Sequence, residues 1–197
     1  MFDLPPHVRL VAITKGRSVH EIEALIRDGH LWFGENRLGE IQEKWLHLKH
    51  KYPKAKLQFI GRLQSNKVRE IVELCDGIIS IDRKSIVEAL AKALKEHPKD
   101  IELLIQVNVS GEEQKGGVTI AEFPDLLHDA LLKGLKIKGL MTMPPQSVDP
   151  TPYFEKLRDI AYAYGLPELS MGMSDDYKIA MTCGATQVRI GRALFED

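Results

Sequence analysis

Lys15 stands directly after the apolar run Leu10–Ile13, and a lysine closing a β-rich run is a candidate nucleophile. Where neighbouring cations or partial burial favour the neutral amine, it can condense with a carbonyl, the property a Schiff-base lysine needs. The plainer reading is a solvated lysine in a loop, the commoner fate of this residue type. Other apolar runs also end in polar residues: Glu35 and Asn36 after Leu31–Gly34, Ser174 at the end of Leu169–Ser174, and Arg189 just before Gly191 and Arg192. Gly191 lets backbone approach a ligand closely, and the segment Ala193–Asp197 offers helix-type N–H groups that suit a phosphate. Ser174 adds a hydroxyl to such a site, or else N-caps a helix with Asp175 and Asp176 in its first turn. Arg189, if strand alternation turns it inward, requires a partner, and a carboxylate such as Glu35 competes evenly with a ligand for that place. Gly34–Arg37 reads first as a strand end followed by a helix capped by Asn36.

The elements that must position these residues alternate regularly. Eight short apolar runs, Leu10–Thr14, Leu31–Gly34, Leu57–Gly61, Gly77–Ile81, Glu102–Val109, Ile137–Met143, Leu169–Ser174 and Gln187–Gly191, are each followed by an amphipathic stretch. Ser18 with Glu21 and Thr119 with Glu122 have capping-box spacing, and Asp149 before Pro150 marks another helix start. Strict β/α alternation implies a parallel sheet, since each helix returns the chain to the same edge. Eight units predict a closed single-domain (β/α)8 barrel over residues 1–197, with its functional face at the C-terminal strand ends. An open doubly wound sheet would carry a glycine-rich turn after its first strand, and none is present.

Composition narrows the function classes. The 27 basic and 28 acidic residues nearly cancel, so no global field gathers nucleic acid or coats an anionic membrane. Cys75 and Cys183 have no metal-ligand spacing, which predicts neither a disulfide framework nor a metal site and fits a reducing cytoplasm. No stretch approaches the roughly 20 apolar residues of a membrane span, and the opening residues lack a signal-peptide pattern.

Seven ordered motifs then show a resemblance: LVAITK (Leu10–Lys15), FGENR (Phe33–Arg37), FIGRLQSNK (Phe59–Lys67), NVSGEEQKGG (Asn108–Gly117), GLMTM (Gly139–Met143), LSMGMSDD (Leu169–Asp176) and QVRIGRALF (Gln187–Phe195). Through nearly its whole length the chain resembles the pyridoxal phosphate homeostasis proteins. The resemblance implies a barrel like the N-terminal domain of alanine racemase, with pyridoxal 5'-phosphate at the strand ends. It implies that Lys15 forms the imine and Arg189 faces the pyridine nitrogen. Ser174, Gly191 and Arg192 match the phosphate cup, the last two through backbone N–H groups, and Asn36 matches a position beside the cofactor.

A permanently cationic guanidinium at the ring nitrogen weakens the cofactor as an electron sink, which suits a carrier better than a carbanion enzyme. The leading expectation is a protein that stores, buffers or delivers the vitamer to amines, including those of pyridoxal-phosphate-dependent apo-enzymes. The alternative is a small amino-acid racemase of the same fold. Alanine racemases add a second domain with an opposing tyrosine, whereas only Glu196 and Asp197 follow Phe195 here. The chain also enters Val8 without the helix that usually precedes the first strand, has Gln58 where many relatives carry His, and shortens the Pro144–Tyr153 connection. These departures bear on self-association, with a monomer or weak homodimer expected. Lys67 and Lys115, in loops on the site's face, either guide phosphate or are ordinary solvated lysines.

Overall fold

Each of the expected apolar runs forms a parallel strand, and the pairing closes into a ring. The computed structural model describes residues 2, 4–112, 114–146 and 148–195. The strands are β1 (Arg9–Ile13), β2 (Trp32–Glu35), β3 (Lys56–Phe59), β4 (Gly77–Ile81), β5 (Glu102–Asn108), β6 (Val118–Thr119), β7 (Ile137–Met141), β8 (Glu168–Ser170) and β9 (Gln187–Ile190). Eight of these nine close the barrel, because β4 pairs with β5 and β1 pairs with both β2 and β9. The short β6, which the sequence does not signal, extends the end of β5 through Val107 opposite Val118.

The strands are largely apolar on both faces because both are covered, apart from a few buried polar residues. β4 is buried at all five positions, as a parallel strand lying between a barrel interior and outer helices must be. The outer layer comprises α1 (Val19–Arg27), α2 (Leu38–Glu40), α3 (Leu46–Lys51), α4 (Val68–Leu74), α5 (Lys84–Glu96), α6 (Phe123–Leu132), α7 (Thr151–Ala163) and α8 (Tyr177–Thr182). α5 shows the rule behind them: Ile86, Val87, Leu90 and Ala93 are buried at helical spacing, while the opposite face is charged. Between strands and helices Phe33 and Trp45 are fully buried with ring centroids 5.1 Å apart, contributing about 0.5–1.5 kcal/mol beyond their buried area.

Inside the barrel the layers differ in chemistry. Ile79, Leu104 and Met141 form a small apolar layer against Ile60. Towards the strand starts lies a polar plug, in which buried Glu102 accepts both 2.9 Å bonds from Arg9 Nη1, a 2.5 Å bond from Gln58 Nε2 and a 3.1 Å bond from Gln187 Nε2. Arg9 also stacks on Trp32 at 4.1 Å, so the guanidinium closes the barrel bottom. Gln58 thus has a structural place across the barrel, 3.0 Å from Gln187.

Helix starts follow the sequence with small shifts. Ser18 and Glu21 form the full capping box of α1. Thr119 accepts from Glu122 N–H at 3.2 Å, one turn ahead of α6, and Asp149 accepts from Thr151 N–H at 3.0 Å at the start of α7. The seventh run ends earlier than predicted. β8 stops at Ser170, because Gly172 turns the chain at φ +94° against Ala180 and Tyr177. Among the described residues no helix is long and apolar enough to cross a membrane.

Candidate functional site

β1 alternates its side chains, and Val11 and Ile13 face the interior beside Gly34 and Ile60. Lys15 continues that alternation at the barrel mouth. Ile13 lies opposite Gly34 on β2, so Lys15 and Asn36, each two residues further along, stand at the same level of the rim. The Lys15 side chain is exposed, as the plainer reading of a solvated loop lysine has it and without the partial burial that would favour a neutral amine, because β1 ends at Ile13 and the chain turns at Gly16, with φ +68°. Among the described residues no side-chain hydrogen bond or ion pair engages it.

The backbone around Lys15 is tightly held. Lys44 Nζ donates to the Thr14 carbonyl at 2.9 Å, and Glu40 Oε2 accepts from Gly16 N–H at 2.8 Å. Lys44 also pairs with Glu35 at 2.6 Å and with Glu40 at 2.8 Å, and Thr14 Oγ1 donates to Glu35 Oε1 at 2.7 Å. Burial on its own would favour a neutral Lys44, yet the two carboxylates hold its pKa above the usual lysine value. Glu40 shows the converse, its carboxyl held below the ordinary range, against the cost of burial, by the Gly16 N–H and Lys44. Lys44 lies in a π-helical turn, Ile41–Trp45, that also buries Ile41 and Trp45. This network escaped the sequence reading, although the Glu40–Lys44 spacing is that of a helix-face ion pair.

Arg189 lies within the barrel wall. Its β9 neighbour Gln187 reaches Gln58 and Glu102 across the interior, and two residues later Arg189 must face the same way. The side chain is almost fully buried, with Nη1 donating to Ser170 Oγ at 2.7 Å and Nη2 to the Thr142 carbonyl at 2.9 Å. The expected alternative partner, Glu35, is not there: it faces outward from β2 to Lys44, since inward-facing Gly34 puts its neighbour on the other side. Among the described residues no ion pair includes Arg189. Burial pushes its guanidinium down to about 10, with Asp176 opposing, so it remains a cation at neutral pH.

Ser174 and Asn36 do not cap helices. α8 begins only at Tyr177, with Asp176 at the cap position, and α2 begins at Leu38 after Arg37. Ser174 lies instead in the loop after β8, where Asp176 turns back to accept from Met173 N–H at 2.6 Å. Asn36 Oδ1 is buried without a partner among the described residues, and Gly61 packs against the Asn36 carbonyl where a side chain would collide. Gly191 sits beside Ile13, and the 3-10 turn Arg192–Leu194 follows it. The leading N–H groups of such a turn lie outside its own hydrogen-bond pattern. Glu196 and Asp197, the end of the predicted phosphate segment, lie outside the described residues.

These pieces converge on one mouth. Arg17, two residues after Lys15, stacks on Phe195 at 4.7 Å and ties the lysine loop to the terminal turn. A cleft of about 410 Å³ between the β7–α7 and β8–α8 loops is lined by Pro144, Met173, Asp175, Asp176 and Arg192, which places Arg192 opposite the flanks of Ser174. The larger hollow, about 1060 Å³ between the ends of α5 and α6, is lined by none of the predicted site residues. Lys115 reaches the Pro144 carbonyl at 3.3 Å on the mouth face, while Lys67 pairs with Glu70 at 3.5 Å.

The alanine racemase N-terminal domain family model matches residues 3–197. Among similar proteins, the pyridoxal phosphate homeostasis protein of Synechocystis is 41% identical over 98% of this chain and 93% of its own length. That of Aquifex aeolicus is 42% identical over 84% of this chain and 76% of its own. The structure of PipY of Synechococcus elongatus with pyridoxal phosphate bound superposes with TM-score 0.87 at 32% identity, covering 98% of this chain and 94% of PipY. Alanine racemase of Acinetobacter baumannii shares the fold, with TM-score 0.76 at 15% identity over 95% of this chain and 56% of the racemase. With close resemblance along almost its entire length, the chain belongs to the pyridoxal phosphate homeostasis protein family.

Proposed function

We propose that this protein binds pyridoxal 5'-phosphate as an imine on Lys15 and stores, buffers or delivers it. The observation that carries the reading is Arg189, a buried cation whose hydrogen-bond acceptors among the described residues are neutral, set in the wall of the barrel below the rim that bears Lys15. A buried guanidinium is costly unless something balances it, and an aromatic nitrogen lone pair on a dianionic phosphate ester is a fitting partner. The buried Oδ1 of Asn36, without a partner among the described residues, is a second feature that a polar ligand would complete.

Each residue then has a task. Lys15 attacks the aldehyde carbon as a neutral amine, a carbon–nitrogen double bond forms and one water leaves. Release is the matching exchange, in which an incoming amine takes the same carbon and Lys15 departs as the free amine. Arg189 donates to the ring nitrogen and keeps it unprotonated, so the bound group is a poor electron sink. Ser174 Oγ and the N–H groups of Gly191 and Arg192 receive the phosphate. Apo-enzymes with their own lysines are suitable acceptors. Free, buried Cys75 and Cys183 suit a reducing cytoplasm.

The test is spectroscopic. Purified protein mixed with the vitamer should acquire the visible absorption of an imine, Lys15→Ala should lose it, and neither should turn over D- or L-amino acids. Lys15-dependent racemisation at enzymatic rates would assign the protein to catalysis instead.

A further inference from the structure

We propose that Lys44 and Glu40 are positioning residues for Lys15, clamping the backbone on both sides of it while its side chain stays free to swing. The inference rests on reading Lys15 as the imine lysine. Thr14, immediately before Lys15, gives its carbonyl to Lys44, and Gly16, immediately after, gives its N–H to Glu40. Lys44 reaches one residue further to the Arg17 carbonyl at 3.5 Å. An ammonium has three protons, and Lys44 finds three acceptors within 2.9 Å: Glu35, Glu40 and Thr14. Its side chain is only 8% exposed, so this is no solvated surface pair.

The geometry addresses a specific difficulty. Gly16 at φ +68° makes the turn possible, but glycine is also the loosest backbone link available. A lysine that must meet an aldehyde held on the opposite side of a barrel mouth gains from a fixed base and a mobile tip. Glu40 and Lys44 fix the base without touching the tip. The π-helical turn serves the same end, since it carries Lys44 to the loop while Ile41 and Trp45 stay in the core. Such widened turns are rare and frequently occur at functional sites.

Two variants test the clamp: Glu40→Ala, whose side chain is 21% exposed and whose loss the fold should tolerate, and Lys44→Met. In Glu40→Ala, amide exchange in cofactor-free protein should accelerate about tenfold or more at Gly16, with Ile79 and Leu104 in the barrel unchanged, as expected when a hydrogen bond to a charged group is lost. Pyridoxal phosphate titrated into the same variants should bind roughly ten- to hundredfold more weakly, with a diminished visible circular dichroism of the imine. Lys44→Arg, which keeps charge and donors, should recover part of both. A Glu40→Ala protein that melts like the parent and keeps its affinity and dichroism overturns the inference. If Lys15→Ala itself retains the imine absorption, the reading of Lys15 falls; if Lys15 carries the imine and the clamp variants match the parent, only the positioning role falls.

Discussion

Arg189 and Ser170 are joined across β9 and β8 by a 2.7 Å hydrogen bond from guanidinium to hydroxyl, and among the described residues no carboxylate forms an ion pair with Arg189, Asp176 acting on it only from beyond contact distance. Natural interiors usually match a buried charge with an opposite one, as Glu102 and Arg9 do at the other end of the same barrel. The two ends of the barrel thus differ: one guanidinium is paired with a carboxylate, the other hydrogen-bonds only a hydroxyl and a carbonyl among the described residues.

Arg189→Met strands the Ser170 hydroxyl and the Thr142 carbonyl, at roughly 1–3 kcal/mol each, but also removes the cost of a buried guanidinium, so the net loss of stability should be small. Affinity for pyridoxal phosphate should fall at least about tenfold. Thermal melting and titration on the same preparation check both halves.

Glu102→Ala should do the opposite. It leaves Arg9, Gln58 and Gln187 without their shared acceptor, and loss of roughly 3–5 kcal/mol is expected in urea unfolding. Cofactor affinity of the fraction that remains folded should be unchanged, because the plug lies at the far end of the strands.

Asp76 ties the start of β3 to the helices outside it, accepting from Lys49 at 2.7 Å and from Leu57 N–H at 2.9 Å. Burial opposes its ionisation, but Lys49 and the Leu57 N–H outweigh it and hold the carboxyl below the usual aspartate range. A depressed folded-state value means stability is fully present above the unfolded value of about 3.9 and is lost as pH falls through the lower folded one. Unfolding free energy measured from pH 6 down to about 2 should decline more steeply in the parent than in Asp76→Asn.

Gly16→Ala meets no neighbouring atom within 4 Å, so its cost is purely conformational. With φ at +68° that cost should be about 1–2 kcal/mol, read as a lowered denaturation midpoint. Gly61→Ala, whose new methyl would collide with the Asn36 carbonyl, should cost more and should also weaken the cofactor site.

Much of this was legible in the chain itself. Eight apolar runs separated by capped amphipathic stretches leave few architectures, and the place of Lys15 after Leu10–Ile13 follows from where the first run stops. The partner of Arg189 was not legible. Whether Glu35 faces in or out depends on the orientation of Gly34, and a glycine has no side chain to mark its face. The apolar run Leu169–Ser174 reads as one strand in the sequence, while the left-handed turn at Gly172 that ends it early is set by packing against Ala180. Lys44 was hidden for a related reason: a single π-helical turn shifts helical phase without leaving a residue signature.

Whether Lys15 carries the imine is read most directly by borohydride reduction of the protein loaded with pyridoxal phosphate, followed by peptide mass mapping. A pyridoxyl group should be found on the peptide containing Lys15 and should disappear in Lys15→Ala. A pyridoxyl group found on another lysine, with Lys15 unmodified, would contradict the assignment of the imine to Lys15.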